Sequence, residues 1–113
     1  MKAVVTTPLF PTESEEKVLA NLHALFPEVA FAGNPLRGET SDLSHFRKLL
    51  ENQRIRDVAE RLLVQNWADG RTQLLLNKQV RIVNIYEDHE LGPVELSIEC
   101  DLGDIHSIVW GGA

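Results

Sequence analysis

"DLSHFRKLLENQRIRDVAERLLVQNW", residues 42–67, is long enough for a single helix, yet its periodicity argues against one. At 100° per residue, Leu43, Phe46, Leu49 and Leu50 gather on one side. Ile55, Val58, Ala59, Leu62 and Leu63 gather nearly opposite. A straight helix would have to bury both faces, and the charged segments RK, ENQR and DVAER do not permit that. The stretch therefore predicts two helices with a break near residues 51–54.

Outward from this pair, the flanking segments predict strands and one further helix. Residues 3–10, "AVVTTPLF", are rich in β-branched side chains and read as a strand whose end is an edge or a bulge, because Pro8 removes a ladder donor. In "PTESEEKVLANLHALFP", Thr12 and Glu15 have the capping-box spacing. Val18, Leu22, Leu25 and Phe26 form one apolar stripe, and Pro27 stops the helix. "EVAFAG", residues 28–33, reads as a short second strand. "GNPLRGETS" reads as a loop leading to Ser41 as a helix N-cap.

Beyond the helix pair, Gly70 supplies a helix stop. "TQLLLN" and "QVRIVNIYE" read as strands joined tightly at Asn77-Lys78. After the turn "LGP", Val94, Leu96, Ile98 and Cys100 alternate with Glu95, Ser97, Glu99 and Asp101, the pattern of a half-buried strand with an acidic outer face. The last residues suit a short helix that docks through Trp110. The order β-α-β-α-α-β-β-β, with room for a short terminal helix, predicts an α+β fold: an antiparallel sheet with helices packed on one face.

At 113 residues the chain predicts a single domain, 1–113, able to bury one core without staples. One cysteine excludes an intramolecular disulfide and suits a reducing compartment. No apolar run approaches the ~20 residues that span a bilayer, and the N-terminus lacks the form of a signal peptide. The expectation is a cytoplasmic protein that does not engage membranes. Net charge is −6, which opposes general nucleic-acid affinity. Its distribution is uneven: residues 37–81 carry nine basic and six acidic side chains, and residues 82–113 carry no basic and seven acidic ones.

No catalytic constellation is legible, and the expectation is a non-enzyme without cofactor or metal. His23, His45, His89 and His106 lack zinc-ligand spacing with Cys100. "GNPLRG" lacks the lysine and hydroxyl that complete a phosphate loop. Cys100 falls on the apolar side of its strand and reads as a core residue. Arg54 and Arg61 lie seven residues apart with Asp57 between them, which fits either a solvated Arg-Asp-Arg ion-pair ladder or a phosphate-binding ridge. Arg71, Lys78 and Arg81 gather near the expected hairpin as a second basic group. Aromatics are only 6% of the chain, and no stacking motif of the RRM type occurs.

Three stretches, "PLFPTESEEKVLANLHALFP", "FRKLLENQRIRDVAERLL" and "LLLNKQVRIVNIYEDHELGPVELSI", together resemble a family of small archaeal proteins grouped with predicted RNA-binding, exosome-associated proteins. The motifs that carry the resemblance are Pro11-Thr12-Glu13, Phe26-Pro27, Gln53-Arg54-Ile55 with Asp57, Leu76-Asn77-Lys78-Gln79 and Leu91-Gly92-Pro93. The resemblance implies a fold similar to that of the ribosomal protein that binds 5S RNA. It also implies a non-catalytic RNA-binding module that contacts phosphates through Arg54, Arg61, Arg71, Lys78 and Arg81. Gln53, Asn77 and Gln79 would be motif residues on its surface. The alternative is a protein-interaction subunit or homodimer that uses the acidic C-terminal sheet face. If Lys78 and Arg81 are surface residues, replacing both with alanine should leave thermal stability nearly unchanged.

Overall fold

The structure, a computed structural model, describes residues 1–78, 83–85 and 92–111. Its elements run β1 (Lys2–Thr7), α1 (Glu15–Leu25), β2 (Leu36–Thr40), α2 (Ser44–Asn52), α3 (Arg56–Asn66), β3 (Arg71–Asn77) and β4 (Pro93–Glu99). A 3-10 turn, Leu102–Asp104, then leads into α4 (Ile105–Trp110). The four strands form one antiparallel sheet in the order β2-β1-β4-β3. This is the α+β architecture that the order of elements predicts.

Strand alternation decides which face is covered. Ala3, Val5 and Thr7 of β1, Thr72, Leu74 and Leu76 of β3, and Val94, Leu96 and Ile98 of β4 are all buried. They meet Val18, Leu22 and Leu25 from α1, Phe46 and Leu50 from α2, Ala59 and Leu63 from α3, and Ile105 and Val109 from α4. Each buried leucine or isoleucine contributes roughly 1.5–3 kcal/mol by leaving water, so this shared core is what holds the helices to the sheet. The polar atoms beneath them are satisfied. Thr72 Oγ1 donates to the Leu63 carbonyl, and Trp67 Nε1 donates to the Cys100 carbonyl at 2.9 Å, tying α3 to the strands beside it. The opposite face is open and carries Lys2, Arg37, Arg71, Glu95 and Glu99.

The helix pair forms as its two apolar faces require, with α2 ending at Asn52 and α3 beginning at Arg56. Cys100 is buried where the β4 alternation puts it. The terminal helix forms, but it docks through Ile105 and Val109, whereas Trp110 remains 37% exposed. On a six-residue helix, positions 105 and 109 share the inward face, and Trp110 is turned past it.

Three local expectations are corrected. The second strand is residues Leu36–Thr40, not 28–33. Leu36 and Gly38 face inward there while Arg37 and Glu39 face out, and glycine hid the period from a hydrophobicity reading. Gly38 is required: a Cβ at this position would run into the Val29 side chain and lie 2.8 Å from the Ala30 carbonyl oxygen, so residues 28–31 pack directly over β2. Helix α1 is capped by Ser14, whose side chain accepts from the Lys17 N–H, and not by Thr12. Helix α2 starts three residues after Ser41, and the Asp42 carboxylate accepts from the Ser44 N–H at 2.9 Å.

The connection after β3 is also not a tight turn at Asn77-Lys78. The Asn77 N–H donates to the Asn84 carbonyl at 2.8 Å, and Leu76 bridges Ile85. The returning chain therefore pairs with β3 at residues 84 and 85. The expected strand over 79–87 otherwise lies outside the described residues, as does His89. No helix among the described residues is long and apolar enough to cross a membrane.

Candidate nucleic-acid interface

The candidate surface begins at the corner between α2 and α3. The Arg54 N–H donates to the Glu51 carbonyl, and the Ile55 N–H donates to the Leu50 carbonyl, both at 3.1 Å. This is the double hydrogen bond that closes a helix through a left-handed residue, a position usually filled by glycine. Here Arg54 fills it, with φ of 57°. Leu50 is buried in the core and Ile55 packs against it, the apolar contact that accompanies this kind of helix end. A side chain at positive φ costs roughly 1 kcal/mol relative to glycine. The corner thus carries an exposed arginine where glycine would be more stable.

Arg61 lies on the exposed side of α3. The Arg-Asp-Arg ladder does not form. Arg54 has left the helical path, and neither arginine makes an ion pair with Asp57 among the described residues. Beside the corner, Gln53 is not a free surface group. Its Nε2 donates to the Val83 carbonyl at 2.8 Å and its Oε1 accepts from the Val83 N–H at 2.9 Å, so it pins the returning chain to α2.

Lys78 is corrected most strongly. It is 1% exposed, and its Nζ donates to Glu13 Oε1 at 2.8 Å and to the Pro8 carbonyl at 2.7 Å. The Phe10 ring lies 5.2 Å from the ammonium, and Asn21 holds the Lys78 carbonyl. Lys78 continues the inward alternation of Thr72, Leu74 and Leu76, and its side chain reaches the β1–α1 connection, so the ammonium sits against a buried carboxylate and is unavailable to a ligand. Asn77, the last residue of β3, is engaged through its backbone with Asn84. Gln79 and Arg81 lie outside the described residues.

Arg71 is exposed but on the other layer. It points to the open sheet face, where it pairs with Glu99 at 3.2 Å. On the same face Glu39 takes Arg37 at 2.7 Å and Lys2 at 3.5 Å, and the Arg37 hydrogen bond, with the Lys2 charge, holds the Glu39 carboxyl below its ordinary range. The acidic outer face expected from β4 is therefore interleaved with cations from β1, β2 and β3. The basic residues thus lie on two layers, Arg54 and Arg61 on the helical side and Arg71 across the sheet.

One cluster escaped the sequence reading. Glu60 of α3 accepts from Trp110 Nε1 at 3.1 Å with one oxygen, and its other oxygen lies 2.7 Å from His106 Nδ1. The His106 and Trp110 rings stack with centroids 6.0 Å apart, and the Arg56 guanidinium sits 4.3 Å from the Trp110 ring centre. The partners are about fifty residues apart in sequence; the only local signal was the four-residue spacing of His106 and Trp110. Among the described residues, no group of three His, Cys, Asp or Glu side chains could hold a metal ion.

The chain matches no family model. A UPF0200/UPF0201 protein of Archaeoglobus fulgidus is 34% identical over 84 residues, which cover 71% of this chain and 26% of that protein. The chain thus spans about a quarter of the length of the curated relative it matches. The crystal structure of an uncharacterized UPF0201 protein aligns with a TM-score of 0.80 at 27% identity, covering 89% of this chain and 84% of that one. A UPF0201 protein from Methanococcus jannaschii has the same fold, with a TM-score of 0.85 at 24% identity over 100% of this chain and 95% of its own. In sequence and fold together, the chain is similar to the archaeal UPF0201 proteins.

Proposed function

We propose that this chain is a non-catalytic RNA-associated module that contacts phosphates through the α2–α3 corner, with Arg54 and Arg61 as its principal cations. The observation that carries this reading is Arg54 itself. A residue with a positive φ that closes a helix is cheapest as glycine, and an exposed arginine there, without an ion-pair partner among the described residues, is accounted for by what its side chain reaches outside the molecule. Guanidinium groups free of carboxylate partners bind phosphate oxygens in a bidentate manner. The net charge of −6 makes the interaction weak, on the order of micromolar, and strongly salt-dependent.

The test exploits the strain. Arg54→Gly removes the charge and relaxes the backbone together, so it should raise stability slightly, by up to about 1 kcal/mol. The same substitution should lower affinity for a structured RNA at low salt. An Arg54→Gly protein that is more stable and binds RNA as well as the parent would contradict the reading. Arg54→Lys, which keeps charge but loses the planar fork, should fall between the two.

A further inference from the structure

We propose that the His106–Trp110–Arg56 cluster is a stacking site for an unpaired nucleobase of RNA; the proposal rests on the RNA reading above. The cluster is unusual in being both exposed and fixed. Trp110 is 37% exposed and the His106 side chain 69% exposed, yet the indole is held by a Glu60 hydrogen bond, a stacked imidazole and a guanidinium. Groups pinned in this way lose little further freedom when a ligand arrives, and the exposed parts of the two rings, the imidazole above all, offer a base a surface that is read without regard to sequence. Arg guanidinium planes and His and Trp rings are the groups on which splayed RNA bases stack.

Charge favours the same occupant. Arg56 lies within the cluster, and Arg54 and Arg61 border it in the sequence of the corner and of α3. Of the two carboxylates of α3, Glu60 is already engaged by His106 and Trp110, and Asp57 is exposed. Val64, one helical turn beyond Glu60 on α3, is a further apolar side chain left 46% exposed. A base stacked on these rings, with its flanking phosphates on the arginines, would use both kinds of group at once.

The test compares two probes, an eight-nucleotide single-stranded uridine oligomer and a blunt RNA duplex of similar charge, by fluorescence anisotropy on the full chain. Trp110→Ala should lower affinity for the oligomer about tenfold while leaving the duplex unchanged, and Trp110→Phe should retain most of it. Oligomer binding should quench tryptophan emission in the parent, and the quench should vanish in Trp110→Phe, where Trp67 alone remains. If both probes bind, respond to Arg54 and Arg61 substitutions, and ignore Trp110→Ala, the stacking site is refuted and the phosphate reading stands. If neither probe binds the parent, both proposals fall. If Trp110→Ala abolishes a concentration-dependent self-association and leaves oligomer binding intact, the patch is a protein contact and the proposal is wrong.

Discussion

Replacing Lys78 with alanine tests how the structure assigns its cations. Read as a surface residue, Lys78 could be removed with little effect on stability. The structure instead buries the ammonium against Glu13, itself only 6% exposed at the side chain, with the Pro8 carbonyl as a second acceptor. Removing one partner of such a pair leaves an uncompensated carboxylate in the interior, a loss of about 3–5 kcal/mol. Urea unfolding is the direct assay. With a denaturant slope on the order of 1.5 kcal/mol per molar, the midpoint should fall by roughly 2–3 M. In a thermal scan the midpoint should fall by roughly 10–20 °C. A second arm separates charge from packing: Lys78→Met combined with Glu13→Leu replaces the pair by apolar groups and should recover most of the loss. Arg61→Ala, at an exposed position, should stay within about 0.5 kcal/mol of the parent. A Lys78→Ala protein within 1 kcal/mol of the parent would refute the buried assignment and restore Lys78 to the candidate surface.

Three further outcomes follow from single residues. Gly38→Ala should destabilise by roughly 1–3 kcal/mol in the same urea assay, because the added methyl meets Val29 and the Ala30 carbonyl oxygen; an unchanged midpoint would mean that residues 28–31 do not lie over β2. Asp42 is held below its ordinary value chiefly by its hydrogen bonds with Ser44, so its contribution to α2 is present above that value and is lost as pH falls through the lower folded one; carbon NMR of the Asp42 carboxyl should give a midpoint below that of an unfolded aspartate. Burial, reinforced by the charges of Asp104 and Asp101, pushes the Cys100 thiol up, so a thiol reagent at pH 8 should label the native protein far more slowly than the urea-unfolded chain.

What the sequence revealed, and what it hid, follows from the range of each signal. The helix pair was legible because two opposed apolar stripes cannot share one axis, and β4 because its alternation is strict. Strand β2 was misplaced because glycine at 38 carries no hydrophobic signal, although the close packing of Val29 depends on it. Lys78 was misread because a charged residue after a strand normally reaches solvent; only the arrival of Glu13 from sixty-five residues away makes its burial tolerable. The Trp110 cluster was missed for the same reason, since Glu60 and Arg56 come from another helix. Arg54 is visible in the sequence only as a basic side chain, and its helix-closing geometry is not.

The central claim, that the α2–α3 corner engages RNA phosphates, is tested most directly by the salt dependence of RNA affinity. Association constants for one structured RNA should be measured from low to physiological salt with the parent and with the Arg54→Ala/Arg61→Ala double substitution. Each cation that neutralises a phosphate contributes slightly less than one unit to the logarithmic slope, so the double substitution should flatten it by about two units while stability changes little. Equal slopes for the two proteins, or no binding by the parent even at low salt, would contradict the account.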